Sequence, residues 1–410
     1  MEPYASDGPH YAVQFRAAMV RLATRWSSSV NVRRLRTGLL VMGLLSFASA
    51  QQQANGACAS RWLLDPRDIS GCLYREGVLS LADRDSANRV FDSVARLQDS
   101  LTKDPSNASF ERAAEVSRAL AHISDFYSRR LFGDSSRFHR MLDHLLVTAE
   151  HARGTIRKTP DGRLWPQTTP YLSWVVYPGL GIYFQPVTTA HSLAYLIPRK
   201  NAPTDTVLAF AEHAYRYALW RTRGGYRFPV WEYDYTMNSG TVINDAPWIS
   251  SQAQGGMLAL FAEAYERTGA RVWRDRAFEV LNSFRVEWDS GGVLVSDTSH
   301  GYWWEQYNPL VRVWNGAAQA VVAIGYLYQV THDSSAKRMF DRGIDAMRYY
   351  TPYYDTGRWT IYSRTHGYES VAYHRGDIEI LEALYTLSGD PWFKAAAERW
   401  RTYVPPAGVQ

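Results

Sequence analysis

The sequence predicts a mainly α-helical protein: an (α/α) toroid or incomplete barrel with short β-strands and hairpins on the face that collects its inter-helix loops, preceded by a helical N-terminal region. Three observations predict it. Ala- and Leu-rich stretches with apolar residues spaced by three and four recur, tight turns such as ERTGARVW and TLSGDPWF join them in pairs, and short aromatic or β-branched stretches separate the pairs. No fixed period of identical residues appears, so the repetition is structural rather than sequential.

Residues 1–50 read as a secretory signal. Arg33, Arg34 and Arg36 precede an apolar run Gly38–Phe47, and Ala48-Ser49-Ala50 supplies small residues for cleavage after Ala50. The run is too short to span a bilayer as an anchor. The protein is therefore expected to be exported, to a periplasm or to the outside; Met19 is a second candidate start, and Arg33-Arg34 a candidate twin-arginine pair. Residues 51–80 form an irregular segment holding the two cysteines, Cys58 and Cys72. In an exported chain they are expected to close a disulfide, with two unpaired thiols as the alternative.

Residues 81–158 carry three successive helical patterns, LADRDSANRVFDSVARLQDSLTK, SNASFERAAEVSRALAHISDFYSRRLF and SSRFHRMLDHLLVTAEHAR, each opened by a Ser or Asp that can cap it. His122, His139, His144 and His151 lie on them and read as surface or core histidines before metal ligands. Residues 159–410 form the expected toroid. Aromatic stretches (YLSWVVYP, GYRFPVWEYDY, GGVLVSD, HGYWWEQY, RWTIYS) alternate with helices over Val207–Arg221, Trp248–Arg267, Arg271–Phe284, Asn315–Gln329, Ala336–Tyr349, Ile378–Leu387 and Trp392–Tyr403.

Composition narrows the function. With 410 residues, 46% hydrophobic and 21% charged, the chain can bury a sizeable core. Its formal charge of +5 resides mostly in residues 1–50, with six Arg against two acids, which leaves 39 basic and 38 acidic residues beyond them. A near-neutral body gives no case for nucleic acid. No GxGxxG, Walker loop, HExxH or GxSxG occurs, so nicotinamide, ATP, zinc-protease and serine-hydrolase chemistries lose their usual sequence support. The 15 Trp, 27 Tyr and 15 Phe suit a carbohydrate site, where ring faces meet sugar C–H faces and fixed polar groups meet hydroxyls.

Six ordered blocks give this a name. They are PWISSQAQGG (Pro247–Gly256), WWEQYNP (Trp303–Pro309), VWNGAAQA (Val313–Ala320), YYDTGRWTIYSR (Tyr353–Arg364), YHRGDIEILEALY (Tyr373–Tyr385) and DPWFKAAAERWRTYV (Asp390–Val404), with YFQPVTTAHSLAYL (Tyr183–Leu196) a looser fit. From about Gly225 to Val404 the chain resembles the C-terminal catalytic region of the D-glucuronyl C5-epimerases, which convert D-glucuronate to L-iduronate within heparan-type chains. Family members carry β-rich modules before this region, whereas this chain reads as helical before about residue 155.

The resemblance implies an isomerase acting on a heparosan-like uronate polymer, with Tyr307 and Tyr373 as opposed acid/base groups and Tyr362 as a third site tyrosine. Inversion at C5 removes a proton α to a carboxylate and returns one from the other face, so two acid/base groups must flank the ring and a cation or strong donors must hold the carboxylate. Arg364 is the expected carboxylate partner, two residues after Tyr362 where the family places its arginine three after; Arg375 and Arg312 are substitutes. The family's WYEEY reads Trp304-Glu305-Gln306-Tyr307 here, so Gln306 replaces a glutamate and Glu305 is the remaining carboxylate. Gln254, Trp248, Asn315 and His374 are expected near the substrate, or else as caps and packing residues. The resemblance implies no cofactor, allows a structural divalent cation, and implies a homodimer. Polysaccharide lyases and glycoside hydrolases on (α/α) toroids are alternatives, and Gln306 permits a non-catalytic uronate-polysaccharide-binding protein.

Overall fold

In the computed structural model the described residues are 58, 65–158, 163–177, 180–191, 202–238, 242–296 and 299–409. The expected signal at residues 1–50 lies outside them. Among the described residues no helix is long and apolar enough to cross a membrane. The chain divides into two compact units, one running to Pro170 and including Trp174–Tyr183, the other comprising Tyr171–Ser173 and Phe184 onward.

The first unit is a helical bundle. Helix α1 (Pro66–Arg75) opens with Asp65 accepting from Arg67 N–H, and Cys72 on it is disulfide-bonded to Cys58. Helices α2 (Leu81–Lys103), α3 (Asn107–Ser128) and α4 (Ser135–Ala152) pack on one another. Ser80 and Asp83 form a capping box on α2, while Ser106 and Asp134 cap α3 and α4. Apolar stripes face inward at three and four spacing: Ala87, Phe91 and Val94; Val116, Ala119 and Ile123; Phe138, Met141, Leu142 and Leu145. A four-stranded sheet follows in sequential order, β1 (Arg157–Lys158), β2 (Arg163–Trp165), β3 (Trp174–Tyr177) and β4 (Gly181–Phe184). Of the helical histidines, His139 and His151 pair with Asp83 and Glu115. His144 is buried against Tyr183, and burial pushes its imidazole down to about 3.

The second unit is an (α/α) toroid of helical hairpins in two layers. Helices α5 (Pro186–His191) and α6 (Thr204–Tyr217) pack on α7 (Ser251–Thr268). Helix α7 also packs on α8 (Arg271–Leu281) and α9 (Trp314–Thr331); α9 packs on α10 (Ser334–Tyr350) and α11 (Val371–Ser388), and α11 on α12 (Pro391–Arg401). So α7, α9 and α11 form a contiguous inner layer, and α8, α10 and α12 an outer one. Their sequences say why. Every α9 residue from Trp314 to Leu327 is buried, which requires a helix apolar all round, whereas α8 buries only Trp273, Ala277, Val280 and Leu281 along one face. Small residues let the inner helices touch: a Cβ on Gly255 of α7 would lie 3.2 Å from the Ala320 Cα of α9.

Short antiparallel pairs precede the inner helices. They are β5 (Leu219–Arg223) with β6 (Tyr226–Val230), β7 (Met237–Asn238) with β8 (Ile243–Asn244), and β9 (Leu294–Ser296) with β10 (Tyr302–Trp304). The helix expected over Val207–Arg221 ends at Tyr217, because residues 219–223 pair with β6 across a two-residue turn whose Gly224 and Gly225 both have positive φ, 57° and 79°. The helix expected over Ile378–Leu387 begins earlier, at Val371, capped by Ser370. Among the described residues the RWTIYS stretch makes only isolated bridges, Asp355 with Thr360, Ile361 with Tyr368 and Ser363 with Val313, in a hairpin leading into α11. That hairpin is anchored at Asp355, which accepts from Gly357 N–H (2.8 Å), Arg399 Nε (2.9 Å), Trp400 Nε1 (2.8 Å) and Tyr403 Oη (2.6 Å).

Candidate active site

The three tyrosines named by the motifs come together where the inner helices begin. Tyr307 lies between β10 and α9, Tyr362 on the hairpin before α11, and Tyr373 in the first turn of α11. Backbone contacts bind these approaches into one end of the toroid: Ser251 N–H donates to Glu305 O at 3.1 Å, and Val313 bridges Ser363. The Tyr307 and Tyr362 hydroxyls are 3.1 Å apart. The Tyr373 ring stands edge-on to Tyr362 at 5.3 Å, and the Trp248 ring edge-on to Tyr307 at 5.5 Å. Val311 and Val313 give the group an apolar floor. Three helix N-termini lie at this end, and their partial positive charge favours an anion.

Beside the tyrosines are buried polar atoms that the protein leaves unmatched. Gln306 Oε1, Asn315 Oδ1 and Arg312 Nη1 have no hydrogen-bond partner among the described residues. Gln306 is held in place by Gly316: a Cβ there would come within 2.6 Å of Gln306 Cβ, so only glycine fits. Two orphan acceptors and one orphan donor suit a ligand rich in hydroxyls and carrying a carboxylate.

Glu305 is not among the exposed groups. It is fully buried, with Trp303 Nε1 donating to Oε2 at 2.9 Å and the N–H groups of Gln306 and Tyr307 donating to Oε1 at 2.9 and 3.1 Å. Burial pushes its carboxyl up to about 7, against the opposing pull of these donors. A side chain occupied in this way fixes the backbone of Gln306 and Tyr307.

The arginines divide by position. Arg364 is exposed, its N–H donating to Val311 O at 3.0 Å and its guanidinium 5.8 Å from the Tyr350 ring. Arg312, with φ of 47°, turns its guanidinium over Tyr350 at 5.2 Å and Trp303 at 5.6 Å. Both act on Tyr354, a buried phenol whose hydroxyl donates to Arg312 O at 2.7 Å. Burial and the nearby Glu305 raise Tyr354 well above the usual phenol range. Arg375 is exposed on α11.

The remaining candidates serve the framework. Gln254 is buried, with Nε2 donating to Pro229 O and Ser283 Oγ at 3.0 and 3.2 Å and Oε1 accepting from Trp231 N–H at 3.3 Å. Trp248 stacks on Tyr233 at 4.0 Å and donates to Tyr235 O at 2.9 Å, which aims its edge at Tyr307. His374 is buried between Thr360 Oγ1 and Trp400 O, 2.8 and 3.0 Å away. Neither Tyr354 nor the Thr360–Glu369 pair was visible as a candidate in the sequence; their only signal is position, since Tyr354 falls within the YYDTGRWTIYSR block.

An (α/α) toroid with clustered tyrosines at the inner-helix N-termini is the class that fold and site define. Residues 225–402 match the family of the D-glucuronyl C5-epimerase C-terminus, over the region that the six blocks mark. The chain is similar to an uncharacterized protein of Methanocaldococcus jannaschii, 27% identical over 50% of this chain and 64% of that one. It is also similar to the D-glucuronyl C5-epimerase of Caenorhabditis elegans, 23% identical over 44% of this chain and 32% of that one. The matched part thus spans under two thirds of either relative's length. A solved structure of a sugar epimerase from a ruminal bacterium aligns with a TM-score of 0.39 at 12% identity, over 67% of this chain and 74% of that one.

Proposed function

We propose that this protein is a carbohydrate epimerase that inverts C5 of D-glucuronate to L-iduronate within a heparosan-like polymer, with Tyr307 and Tyr373 moving the proton on opposite faces of the ring. The observation that carries the reading is the Tyr307–Tyr362 hydroxyl contact of 3.1 Å with Tyr373 packed against it. An ordinary phenol, with a pKa of about 10, is a base only if its anion is stabilised. A hydroxyl donating to that anion is one such stabiliser, and Tyr362 stands where it can donate to Tyr307. One tyrosinate takes the C5 proton, the electron pair moves into the carboxylate as an enediolate, and the opposed phenol returns a proton to C5. Arg312 or Arg364 neutralises the carboxylate so that the enediolate can form. Gln306 and Asn315 accept from sugar hydroxyls, and Glu305 holds the backbone that presents Tyr307.

The chemistry calls on no cofactor, and a structural divalent cation remains part of the proposal without a role in the proton transfer. Export through residues 1–50 also belongs to this reading, supported by the Cys58–Cys72 disulfide, a bond characteristic of oxidising compartments.

Incubation with N-acetylheparosan or N-sulfoheparosan in deuterated water, followed by proton NMR, tests it. Deuterium at C5 and iduronate signals without chain cleavage are expected. Unsaturated uronate would identify a lyase, new reducing ends a hydrolase, and binding without exchange a non-catalytic receptor; each would overturn the epimerase.

A further inference from the structure

Four buried polar side chains lie between the hairpin that carries Tyr362 and the helix that carries Tyr373. They are Thr360 (0% exposed), Glu369 (2%), His374 (4%) and Asp377 (2%). The proton transfer proposed above uses none of them. Their donors and acceptors nevertheless fix where a proton must sit. His374 Nε2 is 3.0 Å from the carbonyl oxygen of Trp400, which can only accept, so Nε2 carries a hydrogen. In a neutral imidazole Nδ1 is then an acceptor, and its partner at 2.8 Å is Thr360 Oγ1. The single hydroxyl hydrogen of Thr360 is committed to that bond. The 2.7 Å contact between Thr360 Oγ1 and Glu369 Oε2 therefore needs its hydrogen from the glutamate.

We propose that Glu369 is a positioning residue held as a neutral carboxylic acid, whose O–H donates to Thr360 Oγ1 and so ties the Tyr362 hairpin to the Tyr373 helix. Its kinetic consequence rests on the epimerase reading; the proton assignment rests on hydrogen-bond geometry alone.

One other assignment places a hydrogen in each of these three contacts: an imidazolium donating from Nδ1 to Thr360, which donates to a Glu369 carboxylate. It puts a separated ion pair in a buried site, and burial opposes both members, pushing Glu369 up and His374 down. Asp377 faces Glu369 from α11: burial and Glu369 hold its own carboxyl well above the usual range, while its hydrogen bond pulls Glu369 down, against the burial that pushes Glu369 up. On the far side Asp355 favours a charged His374 and Arg375 disfavours it, but Asp355 is already paired with Arg399 at 2.7 Å. The neutral relay prevails.

The relay lies within a short reach of both tyrosines. Thr360 is two residues before Tyr362, and His374 directly follows Tyr373. Glu369 N–H donates to Thr360 O at 3.1 Å and Trp359 Nε1 to Glu369 O at 2.9 Å, while Trp359 stacks on His374 at 3.9 Å. Once Glu369 loses its proton, Thr360 can serve the carboxylate or the imidazole but not both, and the tie between hairpin and helix loosens.

Infrared difference spectroscopy of the full chain against Glu369→Gln tests the proton. At mildly acidic pH, on the side that the upward push of burial on Glu369 favours, wild type is expected to show a carboxylic-acid carbonyl band that shifts in deuterated water and is missing from the variant. If the substitution removes no such band, Glu369 is a carboxylate and the proposal is overturned. Exchange kinetics on N-acetylheparosan test the positioning. Glu369→Ala should lower kcat roughly 10- to 100-fold with KM little changed, Glu369→Gln should restore most of it through its amide N–H, and the fall of wild-type kcat that follows Glu369 ionisation as pH rises should vanish in the glutamine variant. A glutamine variant as impaired as the alanine variant would also overturn it. The infrared measurement needs no substrate, so absent exchange in wild type counts against the epimerase and leaves the proton on Glu369 to the band.

Discussion

The hydroxyl of Tyr307 lies 3.1 Å from that of Tyr362 although the residues are 55 positions apart. One phenol must donate to the other, and if either ionises its partner is already placed to stabilise the anion. Replacing Tyr307 or Tyr373 with Phe should cut C5 exchange by about 100-fold or more, the usual contribution of a positioned acid or base. Tyr362→Phe should instead move the limb of the pH–rate profile set by Tyr307 ionisation to higher pH, because the anion loses its donor. Deuterium incorporation across a pH series reads both effects; an unmoved limb in Tyr362→Phe would remove that residue from the role.

The two arginines separate by burial. Arg312 has a buried Nη1 without a hydrogen-bond partner among the described residues, and Arg364 is exposed. A charge-assisted hydrogen bond to the substrate carboxylate contributes about 1.5–3 kcal/mol. Arg312→Gln is therefore expected to lower kcat/KM by roughly 10- to 100-fold, and Arg364→Gln by less and in a salt-dependent way. Initial rates at two ionic strengths distinguish them; equal losses insensitive to salt would contradict this division.

Glu305 makes stability depend on pH. Its carboxyl titrates at about 7 in the fold against 4.5 as its ordinary value, so between these pH values the folded state holds more protons than the unfolded one. The stabilisation it provides is complete below pH 4.5 and is lost as pH rises through 7. Glu305→Gln should flatten that slope, which is at most about 1.4 kcal/mol per pH unit. It should also cost about 1–3 kcal/mol throughout, because an amide cannot accept from Trp303 and both backbone N–H groups at once. Urea unfolding at several pH values measures both.

In the first unit, Cys58→Ser should destabilise by up to about 3 kcal/mol, the chain-entropy contribution for a loop of about 15 residues. Thermal melts of wild type with and without reductant, alongside the variant, check it; identical melts would show that the bridge contributes nothing.

Much of the fold was legible because helix periodicity and turn chemistry are local. The inner-layer helices over residues 251–268 and 314–331 stand close to where Ala- and Leu-rich stretches placed them. The end of α6 was misread because Leu219 and Trp220 continue an apolar helical spacing, and only their pairing with Val230 and Pro229 reveals a strand. Tyr307, Tyr362 and Tyr373 could be named from motif context, but their mutual distance could not. Glu305 was named from the motif as the carboxylate that remains beside Gln306; its burial depends on Trp303 and two backbone N–H groups, which no pattern announces. Glu369 carried no signal, because its protonation follows from partners brought together by the fold.

The inner layer of α7, α9 and α11 has a consequence for assembly. Tyr307 enters on the approach to α9, and Tyr362 and Tyr373 on the approach to α11 and its first turn, so neither hairpin alone contains the phenol pair. Helices form from local contacts, early and independently; the hydroxyl contact requires two hairpins docked in register. Catalytic competence should thus lag helix content during refolding and be lost before it during unfolding, which makes turnover a gauge of whether the ring of helices has closed.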